Sequence, residues 1–169
     1  MDVPPEERAQ LDQILEESFE GWYLRHSRRT LAEAETVRAA RISGEAVGLI
    51  MLKTLEQGAG YVFYVAVAKA HRRTGVAALL VRDALGLFRA AGLTDAFASV
   101  EHDNTPSERL FAAEGFTRTS LGEVSKRFGL LHALKMYRMM VVVPGEVLLH
   151  RTLEAVSRSA RSPSTPGDA

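Results

Sequence analysis

One short basic segment of this sequence, residues 72–78 (RRTGVAA), has residue types in an order suited to holding a charged ligand. It lies between an apolar stretch and a helical pattern, so its last residues begin a helix. The first N–H groups of a helix have no partners within it, and the helix dipole favours an anion beside them. Gly75 lets the backbone approach a ligand closely, Ala77 keeps the next turn small, and Arg72 and Arg73 add positive charge. The segment predicts a pyrophosphate site, although a solvated basic loop before an ordinary helix fits the same residues.

Periodic apolar residues predict the elements that hold this segment in place. From Val76 to Ala91 they follow helical spacing, and Gly92 ends the pattern. Three stretches typical of strands precede the segment, at residues 36–42, 46–55 and 61–67, with a tight turn at residues 43–45 between the first two. Residues 95–100 form a further apolar strand. Because a helix joins residues 61–67 to residues 95–100, these two strands should lie parallel.

Two helices are predicted near the amino terminus. Pro4 and Pro5 followed by two glutamates are typical of a helix start, and apolar residues continue at helical spacing as far as Trp22. A second helix is expected over residues 27–34. We interpret Trp22 and Tyr23, which lie between the two helices, as core residues.

The carboxyl-terminal third has weaker patterns. Residues 105–108 (TPSE) predict a capping box and a short helix that ends at Gly115. Strands are expected at residues 116–124, 139–143 and 147–153, with partial helical spacing over residues 126–137. Residues 157–169 are rich in Ser, Pro and Arg and predict a disordered tail, which leaves one domain over residues 1–156.

The composition excludes several kinds of chemistry. The 169 residues contain no cysteine, which rules out disulfides, thiolate metal sites and a cysteine nucleophile, and no metal site is predicted. Basic and acidic residues both number 21, so no overall charge favours nucleic acid. The sequence shows neither a signal peptide nor an apolar run of membrane-spanning length, and a cytoplasmic protein is expected.

The basic segment belongs to a larger resemblance. The pattern Arg72-x-x-Gly75-x-Ala77 resembles the Arg/Gln-x-x-Gly-x-Gly/Ala signature of the GNAT acetyltransferase superfamily. Asn104 followed by residues 110–116 (LFAAEGF) is similar to that family's Asn and its Leu-Tyr-x-x-x-Gly-Phe segment, and the hairpin that ends at Ala46-Val47-Gly48 resembles its upstream strand pair. The correspondence runs over residues 38–117, about half of the chain.

The resemblance implies a fold, a cosubstrate and a set of binding residues. The fold would be α/β (α+β), with a mixed, mostly antiparallel sheet, a splayed parallel strand pair and helices on both faces. Acetyl-CoA would bind with its pantetheine arm along the backbone of Val65 and Val67 and beside Asn104, and the N–H of Val67 would donate to the thioester oxygen. The expected cofactor-binding residues are Val65, Ala66, Val67, Arg72, Arg73, Thr74, Gly75, Val76, Ala77, Ala78, Asn104 and Phe111.

Two departures from the family's pattern leave the catalytic groups open. Phe111 stands where the family often has a tyrosine that protonates the thiolate, and Tyr64 and Tyr137 are candidate replacements. The strand at residues 61–67 lacks the carboxylate that many members use as a base. Glu101 and His102 are the alternatives, since either follows the next strand closely. The family's first strand is not recognisable before the opening helix, and residues 125–143 form an unusually long link that would cover the acceptor or build a homodimer contact.

The sequence therefore supports two main hypotheses. The first is an N-acetyltransferase that passes an acetyl group directly from acetyl-CoA to a primary amine of a small molecule or protein in a ternary complex. The second is a degenerate domain that binds acyl-CoA without turnover. A nucleotide-binding regulator is disfavoured, because neither the dinucleotide fingerprint nor a phosphate-binding Gly-Lys-Ser/Thr motif is present.

Overall fold

The computed structural model describes residues 5–153, which form one sheet and six α-helices. The first half of the chain contains α1 (Pro5–Ser18), α2 (Gly21–Glu33), β1 (Thr36–Ile42), β2 (Glu45–Leu55), β3 (Ala59–Val67) and α3 (Val76–Ala90). The second half contains β4 (Asp95–Glu101), α4 (Thr105–Ala113), β5 (Thr117–Arg118), α5 (Leu121–Phe128), α6 (Leu130–Met140) and β6 (Glu146–Thr152). The predicted strands at residues 36–42, 46–55, 61–67 and 95–100 and the helix from Val76 are confirmed, with small shifts at their ends.

The strands form a six-stranded sheet in the order β1-β2-β3-β4-β6-β5. All neighbours are antiparallel except β3 and β4, which are parallel because α3 carries the chain from one to the other. This is the mixed, mostly antiparallel sheet that the sequence predicts.

Helices cover both faces of the sheet. On one face α3 and α4 pack against apolar residues of the strands in a core that includes Ile50, Val62 and Phe88. On the other face α1 and α2 bury Leu11, Leu15 and Leu31 against Leu49 and Met51. The helices α5 and α6 cover the remainder of that second face around Tyr61, Phe97 and Met136. Alternating side chains of β2 thus fill different cores, as expected of a strand buried on both sides.

A β-bulge in β3 marks the point where the parallel strands separate. Met51 of β2 is opposite Tyr64 and Leu52 is opposite Val62, so Phe63 has no partner in the ladder. A bulge bends the strand that carries it. The parallel ladder with β4 ends at the pair Val62 and Ala98, directly before the bulge. Beyond it β3 continues to Val67 and β4 to Glu101 without pairing with each other, and this divergence opens a slot in the sheet.

The predicted end of the first helix and two predicted strands are wrong. The first helix ends at Ser18 rather than running through Trp22, because Gly21 adopts a positive φ of 53° and starts α2. Residues 116–124 form only the two-residue β5 and then enter α5. A complete capping box between Ser120 and Glu123 begins that helix, and it competes with strand formation. Residues 139–143 end α6 and continue into a turn instead of forming a strand.

The capping of α4 also differs from the prediction. Asn104, and not Thr105, is the N-cap, and its Oδ1 accepts a hydrogen bond from the Ser107 N–H at 3.1 Å. The N-cap of α4 therefore lies one residue earlier in the sequence than predicted. The predicted tail at residues 157–169 lies outside the described residues. Within residues 5–153, no helix combines the length and apolar composition that crossing a membrane requires.

Candidate active site

A cavity of about 740 Å³ occupies the slot between the diverging strands. Its walls come from the strands β3, β4 and β6, from the starts of α3 and α4, and from α2 on the other face of the sheet. The predicted residues Val65, Ala66, Val67, Arg72, Arg73, Gly75, Val76, Ala77, Ala78, Asn104 and Phe111 all line it, as do the candidates Tyr64 and Glu101.

The start of α3 presents unoccupied backbone donors to this cavity. Gly75 is the N-cap with a φ of 90°, and no side chain caps the helix. The first intrahelical bond at this end runs from the Leu79 N–H to the Gly75 oxygen, so the earlier amides are free for a ligand. A Cβ built on Gly75 meets no atom within 4 Å, which leaves open space in front of these amides. Residues and space both fit a diphosphate.

The loop before α3 is held by its own side chains. The Thr74 hydroxyl donates to the His71 carbonyl at 2.6 Å, and Arg73 adopts a positive φ of 63°. The Arg72 guanidinium donates through Nε to the Val67 carbonyl at 3.1 Å and through a terminal nitrogen to the Glu17 carbonyl. Arg72 therefore connects the end of β3 to α1, a role that its sequence position alone did not indicate. The groups left to face a phosphate are mainly backbone amides.

Backbone groups along the free edge of β3 also face the slot. The Ala68 N–H donates to the Val47 carbonyl at 2.9 Å. In an antiparallel pair, every second residue of a strand directs its backbone N–H and C=O at the partner strand. Ala66 and Tyr64 therefore bond to β2, whereas the backbone groups of Val65 and Val67 point the other way. Arg72 already occupies the Val67 carbonyl, which leaves the Val67 N–H as a donor beside the cavity.

Two predicted residues lie on the α4 side of the cavity. Asn104 uses its Oδ1 to cap α4, so its side-chain amide is held at the wall. Phe111 is buried and packs edge-to-face on Phe116 with ring centroids 5.2 Å apart. Phe111 offers a hydrophobic surface and no proton donor at this position.

A chain of aromatic side chains forms the opposite wall. The Tyr64 hydroxyl lies 2.7 Å from His26 Nδ1, and the imidazole stacks on Trp22 with ring centroids 4.7 Å apart. Burial, followed by the charge of Arg29, lowers the pKa of His26, and burial raises the pKa of Tyr64. Trp22 is 43% exposed and lines the cavity with Tyr23, so the interpretation of these two residues as core is wrong.

Two carboxylates lie at one end of the cavity. Glu101 of β4 and Glu146 of β6 are directly opposite in the antiparallel register, and both line the cavity. The Tyr23 hydroxyl donates to Glu146 Oε1 at 3.2 Å. Burial and then the charges of Glu146 and Glu101 raise the pKa of Tyr23. Like charges opposite each other repel, so this end of the cavity favours a cation.

The other catalytic candidates lie elsewhere. The His102 side chain is 70% exposed and 3.3 Å from Asp103, outside the cavity lining. Tyr137 is a partly buried residue of α6 that packs against the core beneath α5 and α6, also outside the lining. The long link at residues 125–143 contributes Met140 and Val141 to the cavity wall, while Met136 is fully buried.

Comparison with known proteins assigns the chain to a family. The sequence pattern of the Acetyltransferase (GNAT) family matches residues 4–116, well over half of the chain. This chain is a member of the GNAT acetyltransferase family. No curated protein matches it in sequence.

Solved GNAT structures share its fold at low sequence identity. A putative GNAT acetyltransferase from Desulfovibrio desulfuricans superposes with a TM-score of 0.70 at 13% identity, over 90% of this chain and 96% of that one. The ribosomal-protein-S18-alanine N-acetyltransferase of Escherichia coli gives 0.67 at 10% identity, over 95% and 96%. The PaiA N-acetyltransferase of Thermoplasma acidophilum, solved in complex with coenzyme A, gives 0.65 at 10% identity, over 90% and 96%.

The sequence patterns did not indicate four polar or aromatic residues that line this cavity, Trp22, Tyr23, His26 and Glu146. His26 is distant in sequence from its partner Tyr64, and Tyr23 is distant from Glu146. The only local signal was the concentration of aromatic and histidine residues in positions 22–26 (WYLRH), which helical spacing places on one side of α2.

Proposed function

We propose that this chain transfers an acetyl group from acetyl-CoA directly to a primary amine within a ternary complex. The observation that carries the proposal is the uncapped start of α3, with open space before Gly75, at one end of a slot between parallel strands. An anion is stabilised at such a helix start. The residues present fit the diphosphate and the extended arm of a coenzyme A thioester.

The slot supplies the groups that acyl transfer requires. The Val65 backbone groups pair with the amide-bearing arm in the manner of an added strand. The Val67 N–H donates to the thioester oxygen, where negative charge develops when the amine attacks. The cosubstrate contributes the activated acetyl group, and the protein holds that group at the divergence of β3 and β4.

The acceptor reaches the site from the face of the sheet that carries α2, next to β6. Glu101 and Glu146 have no cationic partner among the side chains of residues 7–153, and they attract an ammonium group. Trp22 and Tyr23 add aromatic surface that suits both a cation and an apolar substituent. A primary amine, carried by a small molecule or a protein, matches this chemistry.

Among the catalytic candidates, Tyr64 and Glu101 remain in the proposal because both line the cavity, where Glu101 attracts the ammonium group of the acceptor. His102 is set aside because its side chain lies in solvent. Phe111 cannot protonate the departing thiolate, but a thiolate is a tolerable leaving group and accepts a proton from the attacking nitrogen.

The test measures thiol release from acetyl-CoA over a panel of primary amines, together with calorimetric binding of coenzyme A. We expect turnover on at least one amine. Gly75→Trp should abolish coenzyme A binding and turnover, because the indole fills the space before the α3 amides. Gly75→Ala is the control for backbone strain, because it places a side chain at the same positive φ without an indole in front of the amides, so it should weaken binding much less than Gly75→Trp.

The outcomes separate the alternatives. Binding of coenzyme A without turnover on any amine would support the degenerate acyl-CoA-binding domain instead. Unchanged affinity of Gly75→Trp would overturn the assignment of the loop.

A further inference from the structure

Tyr64 and His26 belong to two different elements that together form the aromatic wall of the cavity. Tyr64 lies in β3 directly after the bulge, and its ring contacts Phe19, the residue after α1, edge-on with centroids 5.1 Å apart. His26 lies on α2. The 2.7 Å separation of the Tyr64 hydroxyl and His26 Nδ1 is that of a short hydrogen bond between the two elements.

The imidazole is fixed in an orientation that favours acceptance of a proton at Nδ1. It stacks on Trp22 at an interplanar angle of 16°, which restricts the ring. The Thr30 hydroxyl lies 3.4 Å from the same nitrogen, so the nearer Tyr64 hydroxyl is the principal partner. In the neutral tautomer that carries its proton on Nε2, Nδ1 of His26 accepts a hydrogen bond from the Tyr64 hydroxyl, and this is the tautomer that the inference uses.

The charges around His26 suit a group that is neutral at rest and charged during turnover. The charged or titratable groups that face it are Arg29 and Glu33 from α2, Glu146 from β6 and Tyr64 from β3. Burial and Arg29 lower the pKa of His26, which keeps the resting imidazole neutral near neutral pH. Glu33 and Glu146 act in the opposite direction and stabilise the imidazolium when it forms.

Tyr64 alone does not serve as the base that deprotonates the acceptor amine. An alkyl ammonium has a pKa of about 10.4 and must lose a proton before it attacks. Burial and the Glu146 charge raise the pKa of Tyr64, so a free phenolate at this position is unfavourable. Proton transfer through the phenol to a base behind it avoids that phenolate.

We propose that Tyr64 and His26 form a proton relay that deprotonates the acceptor amine, with Tyr64 in contact with the ammonium and His26 as the final proton acceptor. This inference rests on the proposed acetyl transfer. An ammonium proton passes to the Tyr64 oxygen while the Tyr64 proton passes to His26 Nδ1. The free amine forms a bond to the acetyl carbon, and the carbon–sulfur bond breaks. A second amine proton passes to the thiolate, and His26 returns its proton to solvent, so the net products are amide, thiol and one proton.

The test compares two acceptors that differ in their need for a base. Ethylamine is protonated near neutral pH, whereas hydroxylamine is largely unprotonated there and needs no relay. The rates of thiol release, corrected for the uncatalysed reaction, are measured for both acceptors with the wild type, His26→Gln, Tyr64→Phe and the double variant. Thr30→Val is the control, because it removes only the long contact to the same nitrogen.

We expect His26→Gln to lower kcat on ethylamine by about 10²–10⁴-fold, the usual contribution of general acid–base catalysis. The amide side chain of that variant still bonds to Tyr64 but does not accept a proton, so a purely structural role would be preserved. The rate on hydroxylamine should change little. The double variant should be no worse than the more impaired single variant, and Thr30→Val should behave as the wild type.

The pH profile provides a second measurement. The wild-type rate on ethylamine should fall at acidic pH as His26 becomes protonated, with a midpoint below the usual value of about 6.5. In His26→Gln this midpoint should disappear, and the rate should instead rise steadily with pH in proportion to free ethylamine, whose conjugate acid has a pKa of about 10.4. Wild-type rates and an unchanged profile in His26→Gln would overturn the relay while leaving the acetyltransferase intact. A wild type that acts on neither this pair nor any other amine would contradict the proposed function, and the relay would fall with it.

Discussion

At the scale of single residues, the buried carboxylate of Asp95 organises the end of the sheet opposite the slot. Its side chain is 1% exposed and accepts hydrogen bonds from Thr94 at 2.8 Å and from Arg127 at 2.9 Å, with His150 Nε2 at 2.6 Å. Burial acts to raise the pKa of Asp95, but the bonds from His150, Arg127 and Thr94 outweigh it and the pKa is lowered. Asp95 thus connects β4, β6 and α5 at the closed end of the parallel ladder.

Replacing this carboxylate should destabilise the protein in a pH-dependent way. We expect Asp95→Asn to lower the free energy of unfolding by about 2 kcal/mol near neutral pH, less than for a fully buried pair because Arg127 is 44% exposed. Because the folded-state pKa is lowered, the contribution of Asp95 is complete above about pH 4 and is lost as the pH falls through that lowered pKa. Urea unfolding of both proteins across this range measures the difference. A gap that widens toward acidic pH would contradict the assignment.

The residues of the site differ in how far sequence could predict them. The loop around Gly75 and the backbone of Val65 and Val67 depend on local order, and their expected positions are where the structure has them. Their contacts with coenzyme A stay a prediction. His26 and Glu146 depend on how α2 and β6 pack against β3 and β4, and no local pattern encodes that packing.

At the scale of elements, the contact of α3 with β3 depends on a glycine, Gly60, which has no side chain between the strand and the helix. A Cβ on Gly60 would lie 2.6 Å from three ring atoms of Phe88, so the Phe88 ring packs directly on the backbone of β3. Glycine at this position sets the distance between the helix and the strand from which the slot opens. The start of α3, and with it Gly75, is positioned by this contact.

We expect Gly60→Ala to destabilise the fold by about 1–3 kcal/mol through overpacking against Phe88. Introducing Phe88→Leu into that variant should recover part of the loss, and a double-mutant cycle of unfolding free energies measures the coupling. Gly86→Ala is the matched control, since it lies on the same helix with nothing within 4 Å and should stabilise by about 0.5–1 kcal/mol. Additive effects at Gly60 and Phe88 would contradict the packing argument.

The predicted helices and strands are correct where a long apolar pattern has one period, and wrong where polar capping residues decide the structure. The strands β1 to β4 and α3 have long apolar patterns, and their burial in two cores follows from these patterns. Residues 116–124 do not continue as a strand, because the side chains of Ser120 and Glu123 cap the start of a helix there. Their reciprocal capping bonds start α5.

At the scale of the whole molecule, the sheet consists of two three-stranded halves. The halves β1-β2-β3 and β4-β6-β5 meet only over the ladder that joins Ala59–Val62 to residues 95–98. Beyond this ladder the free edge of β3 has backbone donors without strand partners. A ligand in the slot therefore connects the two halves where the protein itself does not.

We expect coenzyme A to slow hydrogen exchange at the Val65 amide, which points into the slot. Acetyl-CoA should slow it at the Val67 amide as well, because the thioester oxygen is the acceptor proposed for that amide. The amides of Tyr64 and Ala66 already bond to β2 and should change less, which provides an internal control. Exchange measured residue by residue without ligand, with coenzyme A and with acetyl-CoA tests this. Equal protection of all four amides on binding would indicate a general stabilisation of the fold instead.

The bulge at Phe63 has a consequence for the gene as well as for the protein. Phe63 and Tyr64 both face the side of α1 and α2, while Val62 before them and Val65 after them both face α3. Omitting Phe63 would therefore leave every other side chain of β3 on its present face and would let the strand run straight beside β4. In coding terms the slot corresponds to a single codon, and we expect an in-frame deletion of that triplet to close the sheet between β3 and β4.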